Sequence, residues 1–176
     1  MIRIAVTGPE STGKTTLSSA LADHFQAPWH REYAREYLNR LQRNYTYEDL
    51  SVIAQKQMEL RKTESHDQLV IHDTENLVLR IWAAFNYKKC PPIIEQFLSK
   101  QVYDHYFLCS PEGIDWEADP LREHPEQRED LFDIYERHLE SFPIQYTVLK
   151  GTLDDRLNTA IAIIDDLLLS KGGFCV

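Results

Sequence analysis

The chain has 176 residues, which fits one α/β domain and leaves no room for a second of ordinary size. Lysines and arginines number 19 against 28 aspartates and glutamates, a net charge of −9. That balance argues against a nucleic-acid coat, which draws its affinity from Lys and Arg on phosphates, and no apolar run reaches the ~18 residues of a membrane span.

In chain order, Ile2–Val6 is an apolar run ending at Thr7-Gly8 and is predicted to be a strand. A helix is expected from about Lys14 to Phe25, with Leu17, Leu21 and Phe25 on one face. Ala27–Arg31 is a weaker strand candidate. The span 33–65 has helical periodicity broken near Asn44-Tyr45, with Thr46 and Asp49 spaced as a capping box for the second half. Leu69–His72 is a short buried strand; Leu77, Ile81 and Phe85 then mark a helix, and Pro91-Pro92 opens another. Tyr106–Cys109 is the next strand. Residues 111–128 lack apolar periodicity and are expected to form a lid loop, before a helix carrying Leu131, Tyr135, Leu139 and Phe142. Tyr146–Leu149 is the last strand, and Thr152 caps a closing helix striped by Leu153, Leu157, Ile161, Ile164 and Leu168. Five strands joined by right-handed helical crossovers make a three-layer α/β domain, a parallel sheet with helices on both faces. The cysteines, Cys90, Cys109 and Cys175, lie far apart without metal spacing and read as reduced thiols. With Met1–Val6 passing straight into polar sequence, no leader is expected and a cytoplasmic setting is.

Gly8-Pro9-Glu10-Ser11-Thr12-Gly13-Lys14-Thr15 fits G-x-x-x-x-G-K-[ST] at every position, after a strand and at the start of a helix. The spacing predicts a phosphate cradle: glycines let successive N–H groups turn toward one anion, and the helix start adds its positive end. Lys14 brings a full charge to the β- and γ-phosphates, and Thr15 a hydroxyl to Mg²⁺. Thr16 borders the motif and reads more as a helix residue. A P-loop of this kind needs a carboxylate at the end of a neighbouring buried strand, and Asp73 meets that need, with Glu75 two residues on. No N-K-x-D segment is present to read guanine, so ATP with Mg²⁺ is the expected nucleotide, and Gly151-Thr152-Leu153 lies where a backbone could pass adenine. The sheet order expected of such a P-loop NTPase, nucleotide-kinase-like, is 2-3-1-4-5.

Three segments, Glu10-Ser11 inside the P-loop, Glu32-Tyr33-Ala34-Arg35-Glu36, and Ile71-His72-Asp73-Thr74-Glu75, together resemble the NadR family, specifically its C-terminal ribosylnicotinamide kinase domain. The likeness runs from Ile2 to about Ile164, without an H-x-G-H nucleotidyltransferase motif, as in a stand-alone kinase domain. It implies phosphoryl transfer from ATP to the 5′-hydroxyl of nicotinamide riboside. It also implies that Glu32, Tyr33, Arg35, Glu36, Asp73 and Glu75 face a small nucleoside-type acceptor, with Trp116 in a lid that carries Trp and Arg. By residue type alone, 31–36 reads rather as a surface salt-bridge face, and it is the resemblance that turns it toward the cleft. The proton acceptor stays open among Glu32, Asp73 and Glu75, and Trp116 either stacks on a base or anchors its loop.

Residues 110–142 carry eleven acids against three arginines, so most of these acids are expected to point outward, away from a triphosphate. Arg122 and Arg128 are expected to turn inward and stabilise the transferred phosphoryl group. A nucleotide-driven switch with water as acceptor is the alternative to a kinase. A polynucleotide 5′-kinase is disfavoured by the acidic surface.

Overall fold

The structure is a computed structural model that describes residues 1–61 and 68–172. Its elements run β1 (Ile2–Thr7), α1 (Lys14–Phe25), β2 (Trp29–His30), α2 (Tyr33–Arg40), α3 (Tyr47–Arg61), β3 (Leu69–Asp73), α4 (Asn76–Tyr87), α5 (Pro92–Lys100), β4 (His105–Cys109), α6 (Arg128–Glu140), β5 (Tyr146–Leu149) and α7 (Leu153–Gly172). The five strands form one parallel sheet in the order β2-β3-β1-β4-β5. The order is the expected one, and it places β3 between β2 and β1, so Glu32 follows a strand one removed from the P-loop strand and not beside it. The second strand is shorter than Ala27–Arg31, keeping only the two residues that pair with Ile71 and His72. The predicted helical residues 62–65 and the thiol Cys175 lie outside the described residues; Cys90 and Cys109 are free thiols. No described helix is long and apolar enough to cross a membrane.

The period of two along the central strands sorts side chains onto two cores. Ile2, Ile4 and Val6 of β1, with Phe107 and Cys109 of β4, meet Leu17 and Leu21 of α1 and Ala160 and Ile164 of α7. Ala5, Tyr106 and Leu108 face the other way, against Leu77 and Ile81 of α4 and Leu131, Tyr135 and Leu139 of α6. A third cluster (Ala34, Leu50, Ile53, Ala54, Leu79, Ala83, Ile94) packs α2, α3 and α5 onto the back of α4. The buried polar residues on β1 and β3 gather toward their carboxyl ends: Thr7, His72 and Asp73, with Val6 in register with Asp73. Open α/β sheets place ligands at that edge.

The turn into α3 rests on one buried carboxylate. Asp49 accepts from both Nη atoms of Arg43 (2.7 and 2.9 Å), from the Tyr37 hydroxyl (2.7 Å) and from the Thr46 N–H (2.6 Å), the last being one arm of the expected capping box. Hydrogen bonds from Arg43, then Tyr37 and Thr46, hold its carboxyl well below the ordinary value of 3.8. Replacing Asp49 by Asn is expected to cost about 1.5–3 kcal/mol at neutral pH, the range for hydrogen bonds to a charged group. Because the folded-state pKa is depressed, this stabilisation is complete above the ordinary carboxylate range and fades as the pH falls below it. Chemical denaturation of wild type and Asp49→Asn at pH 7 and near pH 3 checks the sign: the gap must narrow in acid.

Candidate active site

The P-loop (residues 8–15) leaves the end of β1 and turns into α1. Gly8 has φ +132°, and a Cβ there would stand 2.8 Å from the Cys109 carbonyl oxygen, so only glycine lets the loop pass β4. Gly13, φ +76°, is the N-cap of α1 and no side chain caps the helix, which leaves its first N–H groups to serve an anion. Ser11 is also left-handed, φ +53°. Pro9 O accepts from Lys14 Nζ (2.6 Å) and from the Thr12 hydroxyl (2.9 Å).

Arg156 fastens this loop to the rest of the edge. It is 2% exposed and donates to Gly151 O (3.0 Å), Thr12 O (2.9 Å) and Ser110 O (2.9 Å), tying together the segments after β5, β1 and β4. Its sequence signal is a charged residue among the stripe positions of α7, beside Leu157 and three after Leu153.

The lid segment, residues 111–127, has neither helix nor strand and docks on the P-loop through Glu10 and Ser11. Glu10 Oε2 accepts from the N–H groups of Glu123 (2.9 Å) and His124 (3.3 Å), and Ser11 Oγ accepts from the Glu117 N–H (2.9 Å). Arg122 reaches Ser11 Oγ (3.4 Å) and the carboxylate of Glu117 (3.1 Å). Arg128, the first residue of α6, donates to Ser11 O (3.1 Å) and Ile114 O (2.9 Å) with its guanidinium 5.7 Å from the Trp116 ring centre. On its other side the lid meets α2, where Asp119 pairs with Arg35 at 2.6 Å. Both expected lid arginines therefore turn toward the P-loop.

P-loop, lid, α2 and α4 enclose a cavity of about 260 Å³. Gly8, Pro9, Glu10, Ser11, Thr12, Gly13, Lys14, Thr15 and Thr16 form one wall, Glu32 and Arg35 stand at its side, and Arg122 and His124 come from the lid. The opposite wall is apolar and aromatic: Leu38, Val78, Ile81, Trp82, Phe85 and Tyr135. Of these the sequence identified only core positions, because an amphipathic stripe says which face is buried and not where the packing leaves a gap.

Glu32 lines this cavity and a second, polar one of about 220 Å³ shared with Tyr33, Glu36, His72 and Asp73. Its side chain is 25% exposed. Burial raises its pKa above the ordinary 4.5, opposed by Lys14 and Arg35 and supported by Asp73 and Glu10. Burial likewise raises Asp73, while a hydrogen bond from Thr15, then Lys14 and Arg35, pulls it back. Asp73 Oδ1 is buried with no hydrogen-bond partner among the described residues. An orphaned carboxylate oxygen beside a threonine hydroxyl is the hard-oxygen donor set that suits Mg²⁺.

Of the expected acceptor-side residues, Glu75 and Trp116 line neither cavity, and Tyr33 and Glu36 line only the second. Thr74 is left-handed, φ +68°, and Glu75 turns inward as the N-cap of α4, accepting from Leu77 N (2.6 Å), Gln101 (2.8 Å) and Thr7 (3.2 Å). Fully buried, it is off the wall of either cavity, unlike Glu32 and Asp73. Glu36 pairs with Arg40 at 2.8 Å on the exposed side of α2, its side chain 54% accessible. Tyr33 packs on the third core cluster beside Tyr37, and Trp116 anchors the lid against Arg128. His72 stacks on His30 at 4.9 Å.

Comparison with known proteins gives the same fold. A crystal structure of NadR in complex with NR superposes with a TM-score of 0.74 at 23% identity, covering 94% of this chain and 51% of that one. One of NadR with NAD and AMP-PNP gives 0.69 at 24%, covering 86% and 44%. Deoxyadenosine kinase from M. mycoides gives 0.64 at 15%, covering 94% and 100%. The chain thus spans about half the length of the NadR chains. No curated protein sequence matches it significantly. A family model described as "AAA domain" matches residues 3–156, the P-loop, the sheet and the lid included, and the chain belongs to that family.

Proposed function

We propose that the protein transfers the γ-phosphoryl group of ATP to a hydroxyl of a small nucleoside, with nicotinamide riboside the acceptor the motifs favour. The observation that carries this reading is one continuous cavity with a phosphate-binding loop on one wall, an aromatic wall opposite, and the Glu32 carboxylate between them. Phosphoryl transfer asks the protein for position, charge and dryness more than for covalent chemistry. The P-loop amides and Lys14 hold the triphosphate. Arg122 meets charge on the transferred group. Mg²⁺, held by Thr15 and Asp73, would neutralise the phosphates when bound. Glu32 accepts the acceptor hydroxyl's hydrogen bond, and its raised pKa strengthens it as a base.

The acceptor end favours a nucleoside over a nucleotide. Of the cations on the first cavity, the one beside Glu32, Arg35, is already engaged by Asp119 (2.6 Å) and lies 4.0 Å from Glu32, which disfavours an acceptor phosphate there. Trp82, Phe85 and Tyr135 offer ring faces that suit a flat base, and a cationic pyridinium above all. Kinase assays with nicotinamide riboside, adenosine, deoxyadenosine and cytidine, read by phosphorus NMR, test the acceptor. The expected result is a 5′-phosphomonoester formed fastest on nicotinamide riboside; preference for a common nucleoside would overturn that assignment.

Glu32→Gln is expected to lower kcat by about 10²–10⁴, the usual contribution of a positioned base. In wild type the acid limb of kcat/KM should lie above pH 4.5, since activity needs the ionised carboxylate and burial raises its pKa. A pH profile that keeps the same acid limb in Glu32→Gln would assign the limb to another group.

A further inference from the structure

We propose that Tyr45, in the connection between α2 and α3, is a positioning residue that couples lid docking to the placement of Trp82 on the acceptor wall. The inference rests on the kinase reading for what enters the cavity, but the coupling itself is a property of the ligand-free protein.

The Tyr45 hydroxyl is saturated. It donates to Glu123 Oε2 of the lid (2.7 Å) and accepts from Trp82 Nε1 (3.0 Å) and Asn86 Nδ2 (2.9 Å) of α4. The ring of Tyr45 also lies against that of Trp82, centroids 4.9 Å apart. Burial and the Glu123 carboxylate raise its pKa well above the ordinary 10, so it remains a donor. Trp82 lines the cavity with its body and is fixed in rotation by its indole N–H on this one oxygen.

The lid end of the network is built the same way. Glu123 takes a second hydrogen bond from Asn86 (2.9 Å) and donates its own N–H to Glu10 of the P-loop (2.9 Å). His124 repeats the pattern, with its N–H on Glu10 (3.3 Å) and its ring Nε2 on Asn86 Oδ1 (2.8 Å). One pair of lid residues thus joins the P-loop through the main chain and the acceptor wall through side chains. When the lid leaves the P-loop, the Tyr45 hydroxyl loses its acceptor and the indole its fixed partner. The acceptor wall is therefore complete only under a docked lid, and by linkage an acceptor on Trp82 favours docking.

The test is Tyr45→Phe, which removes one oxygen and keeps the ring contact. Its KM for the acceptor should rise about tenfold, the worth of one or two hydrogen bonds, with kcat at saturation and the KM for ATP within about twofold of wild type. Hydrogen exchange at lid residues 117–124 should speed up in the ligand-free variant. Glu123→Ala, made from the lid side, should reproduce both effects, and the double variant should be little worse than either single one. Unchanged lid exchange in both variants overturns the coupling, even if the acceptor KM rises, since Tyr45 would then act on Trp82 alone. Faster exchange with an unchanged acceptor KM also overturns it. If wild type phosphorylates no nucleoside, the kinase reading fails by itself, and exchange decides the lid coupling: faster exchange supports it and unchanged exchange rejects it.

Discussion

Lys14→Ala is expected to lower kcat by about 10²–10³, the cost of removing a charged donor aimed at developing phosphoryl charge. Lys14 holds the P-loop position that reaches the β- and γ-phosphates and lines the cavity facing Glu32 and Arg35. Its hydrogen-bond partner is the Pro9 carbonyl of the same loop, so its loss should leave the melting temperature nearly unchanged. Lys14→Arg is not expected to rescue, because a planar guanidinium cannot stand in for a compact ammonium among inward-turned amides. A second consequence distinguishes this loss from general damage. Lys14 pulls down the pKa of both Glu32 and Asp73, so its removal should move the residual acid limb to higher pH. Steady-state kinetics across pH, with calorimetric melting as control, check both.

Arg122→Ala should cost about 10³ or more in kcat, within the range of arginines that meet a transferred phosphoryl group. Arg128→Ala should cost far less, about tenfold, which separates the two arginines that the sequence left equivalent. Arg122 lines the cavity and its guanidinium reaches the side chain of Ser11. Arg128 is off the cavity wall and holds the main chain at Ser11 and Ile114, so its loss loosens lid docking without removing a charge from the phosphates. A loss below tenfold for Arg122→Ala would remove the lid arginine from the chemistry. Equal losses would mean that both act by docking.

The sheet was legible because its central strands are buried on both faces and read as short apolar runs, while the helices keep a stripe against them. The P-loop was legible because each residue type in it answers a local demand, glycine at Gly8 against the Cys109 backbone above all. The acceptor side was legible only in part. Glu32 and Glu75 each follow a strand as a carboxylate near a helix start, and one-dimensional spacing cannot tell a residue that faces a cleft from one that caps a helix. The left-handed turn at Thr74 decides it, sending Glu75 inward. Most acids of the lid and of α6 point outward, as expected, but Asp119 and Glu123 also find partners that come from α2 and the loop after it, Arg35 and Tyr45. Those partners lie 84 and 78 residues away, and nothing local announces them. Trp82 went unnoticed for a related reason: a tryptophan in a polar lid draws notice, whereas one inside an amphipathic helix does not, yet it is Trp82 that lines the cavity.

ADP formation from Mg-ATP, measured with and without nicotinamide riboside, addresses the central claim most directly. A kinase whose cavity is completed by its acceptor should release ADP about tenfold or more faster with the riboside present, with one phosphomonoester made for each ADP. The same rate in its absence, with inorganic phosphate as the product, would make water the acceptor and contradict the account.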